Sequence, residues 1–117
     1  MSSPQQTQCL LIAHGSRNPK ANDEVFTLGR KLGMAVAFLD TIAQPNIPEV
    51  VEQLVADGAT ELRIVPYFLN SGNHVQRDIP AIITRAREQH PHVTFTVTEH
   101  IGAHPKMVTL LKEISQG

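Results

Sequence analysis

The sequence predicts an α/β fold: a four-stranded parallel sheet in the order 2-1-3-4 with helices on both faces. Three observations carry that prediction. Four apolar runs of strand length alternate with four stretches whose apolar residues recur at helical spacing. A proline stands in the first turn expected of each helix, at Pro19, Pro48, Pro80 and Pro105, where the missing N–H costs nothing. The first strand is apolar throughout, as a strand covered on both faces must be.

The elements follow in chain order. Residues 1–7 are polar and read as a flexible lead-in to the first strand, Cys9–Ala13. The first helix carries the stripe Val25, Leu28, Gly29 and Leu32, and Gly33 stands at its C-cap position. The second strand is Met34–Leu39. The second helix buries Ile47, Val50, Val51, Leu54 and Val55, opens on the capping-box-like pair Asn46 and Glu49, and is followed by Gly58. The third strand is Leu62–Leu69, and the third helix carries Ile79, Ile82, Ile83 and Ala86, with Asp78 as its natural N-cap. In the fourth strand, Val93–Thr98, apolar Val93, Phe95 and Val97 alternate with Thr94, Thr96 and Thr98, the period of an edge strand with one wetter face. The stripe Met107, Leu110, Leu111 and Ile114 gives the fourth helix a face to bury. Right-handed crossovers between successive strands make the sheet parallel.

The bulk composition narrows the function. A chain of 117 residues is one domain. Its net charge of -1 gives no global field to attract nucleic acid or an anionic membrane. Aromatic residues make up 4% with no Trp, too few for base-stacking platforms. The single Cys9 excludes an intramolecular disulfide and a cysteine metal cage, and its apolar surroundings read as a buried core thiol. Neither a signal peptide nor a membrane-spanning run is evident, so the expected location is the cytoplasm.

Ligands of such folds bind beyond the carboxyl ends of the strands. The loops there carry His14, Gly15, Ser16, Arg17 and Asn18; then Asp40 and Thr41; then residues 70–77, with Gly72, Asn73, His74 and Arg77; then Glu99, His100, Gly102 and His104. Four of the six histidines therefore share one rim, whereas His90 and His92 fall at the opposite end as surface residues. Alone, His14 reads first as a core histidine bonded to a backbone carbonyl. With His74 and Asp40 beside it, two imidazoles and a carboxylate suit a first-row divalent metal and leave positions open for exchange. Arg17, Lys20 and Arg77 lie on the same rim, near helix N-termini that also favour anions. They suit a substrate with several carboxylates, or are simply solvated charges. Gly15 and Gly72 let the backbone approach a ligand closely. No GxGxxG or P-loop pattern supports a nucleotide site.

The segments HGSRNPKAN (14–22), AFLD (37–40), VPYFLNSGNHVQRDIP (65–80) and IGAHP (101–105) resemble the signature segments of the CbiX/SirB sirohydrochlorin chelatases, class II tetrapyrrole chelatases. The resemblance covers nearly the whole chain. It implies insertion of a divalent metal, cobalt or iron and in some members nickel, into sirohydrochlorin or a related tetrapyrrole, without an organic cofactor or ATP. It implies that His14 and His74 bind the metal and help remove the pyrrole protons, with Asp40 assisting at the metal. Asp40 stands where glutamate is usual, one methylene shorter. Ser16, Arg17, Gly72, Asn73, Arg77 and His104 are the implied substrate contacts, although His104, before Pro105, serves equally as a cap for the last helix. A short chain of this kind is expected to pair as a homodimer, with the fourth strand's edge and the fourth helix as candidate surfaces. The rival function is a metal or tetrapyrrole carrier without turnover, favoured by Asp40. A flavodoxin-like regulatory domain is excluded, because His14 stands where such a domain needs clustered acids.

Overall fold

The computed structural model describes residues 6–117. The strands are β1 (Thr7–Ala13), β2 (Ala35–Phe38), β3 (Glu61–Pro66) and β4 (Thr94–Val97). They form one parallel sheet in the order β2-β1-β3-β4, as expected. Of the expected lead-in, residues 1–5 lie outside the described residues. Thr7 already belongs to β1, and Gln6 is tied to the residue before β3, its N–H donating to Thr60 Oγ1 at 2.8 Å.

The helices are α1 (Pro19–Leu32), α2 (Ile47–Ala56), α3 (Ile79–Gln89) and α4 (Lys106–Ser115). Asn18 caps α1 by accepting from the Lys20 N–H, and Asn46 caps α2 by accepting from Glu49. Gly33 and Gly58 follow α1 and α2 as expected.

Alternation along β1 divides the core in two. Leu10 and Ile12 face α2 and α3, meeting Ile47, Val51, Ile79, Ile83 and Phe95. Leu11 and Ala13 face α1, meeting Val36, Phe38 and Ala43 over Val25, Phe26 and Leu28. Leu10 and Ile12 are both 0% exposed, and burying each contributes roughly 1.5–3 kcal/mol.

Two expectations fail. The stripe of α4 is not buried: Leu110, Leu111 and Ile114 are exposed, and the main contacts of α4 are with the short 3-10 turn Ile101–Ala103. Cys9 is half-buried and not a core thiol, because on its face α1 packs mainly toward β2 and, among the described residues, no helix packs mainly on β3 or β4. Arg63 is its register partner on β3, and that side chain remains 49% exposed although β3 lies inside the sheet.

Candidate metal site

β1 ends at Ala13, and His14 follows at the rim with its carbonyl accepting from the Asp40 N–H at 2.9 Å. This bond extends the β1–β2 pairing by one step and ties the first two loops together. The chain then reverses at Gly15, whose φ of 96° is left-handed; a Cβ there would also stand 3.1 Å from the Ala43 side chain. Asn22 clamps the turn, accepting from the Ser16 N–H at 2.9 Å and donating to the Ser16 carbonyl at 2.8 Å.

His74 reaches the same rim on a different backbone device. Residues His74–Asp78 form a π turn leading into α3, and the Ile79 N–H donates to the His74 carbonyl five residues back. Pro80 supplies the cause. It has no N–H for the carbonyl of Gln76, and in a regular helix its ring would press on that group, so the preceding turn opens. The helix therefore begins before the expected N-cap. Asp78 is helical and makes no cap bond; its Oδ2 lies 2.8 Å from His74 Nδ1. Asp78 is the site residue that the sequence reading missed. The available signal was the i, i+4 spacing of a histidine and an aspartate on one helical turn.

The two imidazoles meet edge to face, with ring centroids 4.7 Å apart and Nε2 atoms 3.2 Å apart. Each Nδ1 faces an oxygen that can only accept: the Gly15 carbonyl at 3.2 Å for His14, and the Asp78 carboxylate for His74. In the tautomers that satisfy these acceptors, both rings donate from Nδ1 and turn the Nε2 lone pair toward each other. Two lone pairs at this separation are reconciled by a cation between them, either a proton or a metal ion.

A cleft of about 440 Å³ opens over the pair, lined by His14, Leu39, Asp40, Thr41, His74, Asp78, Ala81 and Ile82. Phe68 stacks beside His74 at 6.4 Å, and its carbonyl accepts from the Gly102 N–H at 3.0 Å. A Cβ on Gly102 would run into the Leu69 carbonyl, so the crossing of these two loops requires glycine.

The remaining expected residues are placed unequally. Asp40 lines the cleft, but its Oδ1 accepts from the Ile42 N–H at 3.1 Å, and among the described residues no group of three metal-binding side chains is assembled. Ser16 Oγ is occupied by the Asn18 N–H at 3.0 Å. His104 Nδ1 accepts from the Lys106 N–H at 3.1 Å, so this ring caps α4. Gly72 has open space around it, and its carbonyl accepts from Val75 and Gln76. Asn73 makes no capping bond. Arg17 and Arg77 are exposed, and neither forms an ion pair among the described residues. No described helix is long and apolar enough to cross a membrane.

The family model CbiX matches residues 8–116. The chain belongs to the CbiX family. It is 33% identical over 109 residues to the sirohydrochlorin cobaltochelatase of Priestia megaterium, a match covering 88% of this chain and 35% of that relative. Its fold superposes with a TM-score of 0.83 on a CbiX protein from Marinobacter aquaeolei VT8, at 27% identity and 94% coverage of both chains. It superposes equally, at 0.83 and 28% identity, on the sirohydrochlorin chelatase SirB of Bacillus subtilis subspecies spizizenii in complex with cobalt, covering 96% of this chain and 50% of SirB. This CbiX-family chain thus spans half or less of the cobaltochelatase and of SirB, and nearly all of the Marinobacter protein.

Proposed function

We propose that this chain inserts a divalent metal ion into sirohydrochlorin or a closely related modified tetrapyrrole. Cobalt and iron are the proposed metals and nickel is a third, since all three suit imidazole donors. The observation that carries the proposal is the facing Nε2 pair, 3.2 Å apart, with each Nδ1 tied down. Relatives similar along most of this chain are a cobaltochelatase and a chelatase seen with cobalt.

Insertion exchanges two pyrrole N–H protons for one M²⁺. A metal held by two neutral imidazoles keeps positions free for incoming pyrrole nitrogens, and few ligands make release easy. As the metal moves to the macrocycle, the vacated Nε2 pair takes up one of the two protons that leave the pyrroles, and the other passes to solvent water. Asp78 fixes the His74 tautomer and stabilises the imidazolium that results. Leu39, Ala81 and Ile82 give the cleft an apolar wall suited to a flat ring. The rim bases Arg17 and Arg77 meet the peripheral carboxylates. No organic cofactor is required, and we place the reaction in the cytoplasm. Two copies of the chain supply the two walls that a double-length chelatase carries in one chain.

The test mixes purified protein with sirohydrochlorin and Co²⁺, Fe²⁺ or Ni²⁺ and follows the absorbance change. Insertion faster than in protein-free buffer is the expected result. Stoichiometric metal binding without turnover would instead make the chain a carrier.

A further inference from the structure

We infer that Arg85 binds a carboxylate of the substrate, meeting one acidic arm of the tetrapyrrole in a groove between α2 and α3. The inference rests on the chelatase reading above and assigns a specificity-determining residue to it. α2 and α3 both start at the rim that holds the two histidines and run away from it against each other. Between them lies a second cavity of about 270 Å³, lined on α2 by Ile47, Pro48 and Val51 and on α3 by Ile82, Arg85 and Gln89. Ile82 also lines the metal cleft, so the two cavities share a wall at the rim end. Arg85 stands three residues beyond it, about 4.5 Å further along α3.

The size of the groove excludes the macrocycle. Sites that enclose a whole small molecule span roughly 300–1,000 Å³, and this one falls below that range, so it admits a side arm. Its walls are apolar: Ile47 and Val51 are each 1% exposed and Ala86 is 7% exposed, and the methylenes of an arm pack against them. Its polar end is cationic. Arg85 is the one charged residue of the lining, so no protein carboxylate in the groove competes for it. Gln89, one turn further on the same face of α3, adds an amide donor.

The arginines of this chain differ in what they are free to bind. Arg30 donates to Thr27, Arg63 lies against Glu61, and Arg87 donates to the Phe95 carbonyl. Arg85 has no such side-chain partner among the described residues, and unlike Arg17 and Arg77 it lines a cavity. A guanidinium beside apolar walls binds a carboxylate through two parallel hydrogen bonds, more strongly than on open surface because water competes less. Anchoring one arm below the rim fixes the rotation of the flat ring over the facing Nε2 atoms. Arg85 thereby acts on which tetrapyrrole binds and how it lies, not on the metal.

The test compares full-length Arg85→Ala and Arg85→Lys with the parent protein. It measures sirohydrochlorin affinity by fluorescence without metal, KM and kcat for Co²⁺ insertion, and Co²⁺ affinity without tetrapyrrole. Arg30→Ala, which removes an equal charge from α1, is the control. Arg85→Ala is expected to weaken sirohydrochlorin binding and raise its KM about tenfold, in keeping with loss of a hydrogen-bonded charge pair. Its kcat and Co²⁺ affinity should stay as in the parent, and Arg85→Lys should recover part of the loss. Unchanged sirohydrochlorin affinity and KM in Arg85→Ala, where the parent inserts metal, would overturn the role of Arg85 and leave the chelatase reading standing. An equal loss in Arg30→Ala would make Arg85 one surface charge among others, and a matching loss of Co²⁺ affinity would show that it acts through the fold; either overturns its role as well. A parent that neither binds nor metallates sirohydrochlorin overturns both readings.

Discussion

His14 and His74 present the same atom to the same point, yet the chain immobilises them by opposite means. His14 is held through its backbone: it continues the buried strand β1, its carbonyl accepts from Asp40, and its ring rests on the carbonyl of the next residue. His74 is held through side chains, on an exposed π turn, by the Asp78 carboxylate and the flank of Phe68. A donor placed by a strand end tolerates change in its surroundings, because the strand's ladder bonds fix it. A donor placed by side chains depends on each of them. The two histidines are thus equal in chemistry and unequal in vulnerability.

The largest expected effect tests the equality. His14→Ala and His74→Ala should each lower metal insertion at least tenfold, and on the order of a hundredfold where the lost ring also takes a pyrrole proton. Similar losses in the two variants are expected from an absorbance assay with saturating metal. A wild-type rate in either removes that ring from the mechanism. His90→Ala, at the far end of the sheet, is the control and should change nothing measurable.

The next effect tests the inequality. Asp78→Ala frees the His74 ring to turn and to switch tautomer, and should weaken metal binding about tenfold, as loss of such a partner commonly does. Direct titration with Co²⁺ measures it. His14 has no side-chain partner whose removal could act in the same way, since its Nδ1 is satisfied by a main-chain carbonyl. An Asp78→Ala variant that binds Co²⁺ like the parent would show that the π turn alone orients His74.

The same contrast explains what the sequence made legible. The alternation of strands and helices and the rim that gathers His14 and His74 followed from apolar runs, helical stripes and the four prolines, all of which act locally, whereas the sheet order followed by analogy with doubly wound folds. The second half of β1, Leu10–Ala13, proved apolar for the expected reason: its residues face packed layers on both sides. Asp78 was misread because an aspartate before Ile79-Pro80 has the signature of an N-cap. Nothing in the local pattern separates a helix that starts there from one whose preceding turn Pro80 has opened. The stripe of α4 was visible as a stripe, but periodicity states only that a face is to be covered, not by which part of which chain. Cys9 was misread for the same reason, since its burial depends on that absent cover.

The smallest expected effect concerns the third partner. The Asp40 backbone is fixed by the His14 carbonyl, but its carboxylate accepts from the Ile42 N–H and serves the turn of its own loop. Asp40→Asn keeps an acceptor oxygen for that bond and removes only the charge. Were the carboxylate a metal ligand, the loss would approach that of either histidine. As a turn-forming group it should leave Co²⁺ affinity within about twofold of the parent, because the amide oxygen closes the same Asx turn. Asp40→Ala, which has no acceptor, should act on the loop instead and lower the melting temperature more than the affinity. A large loss of affinity in Asp40→Asn would mean that the carboxylate swings from Ile42 to the metal, and the site would then rest on three donors, one from each of three loops.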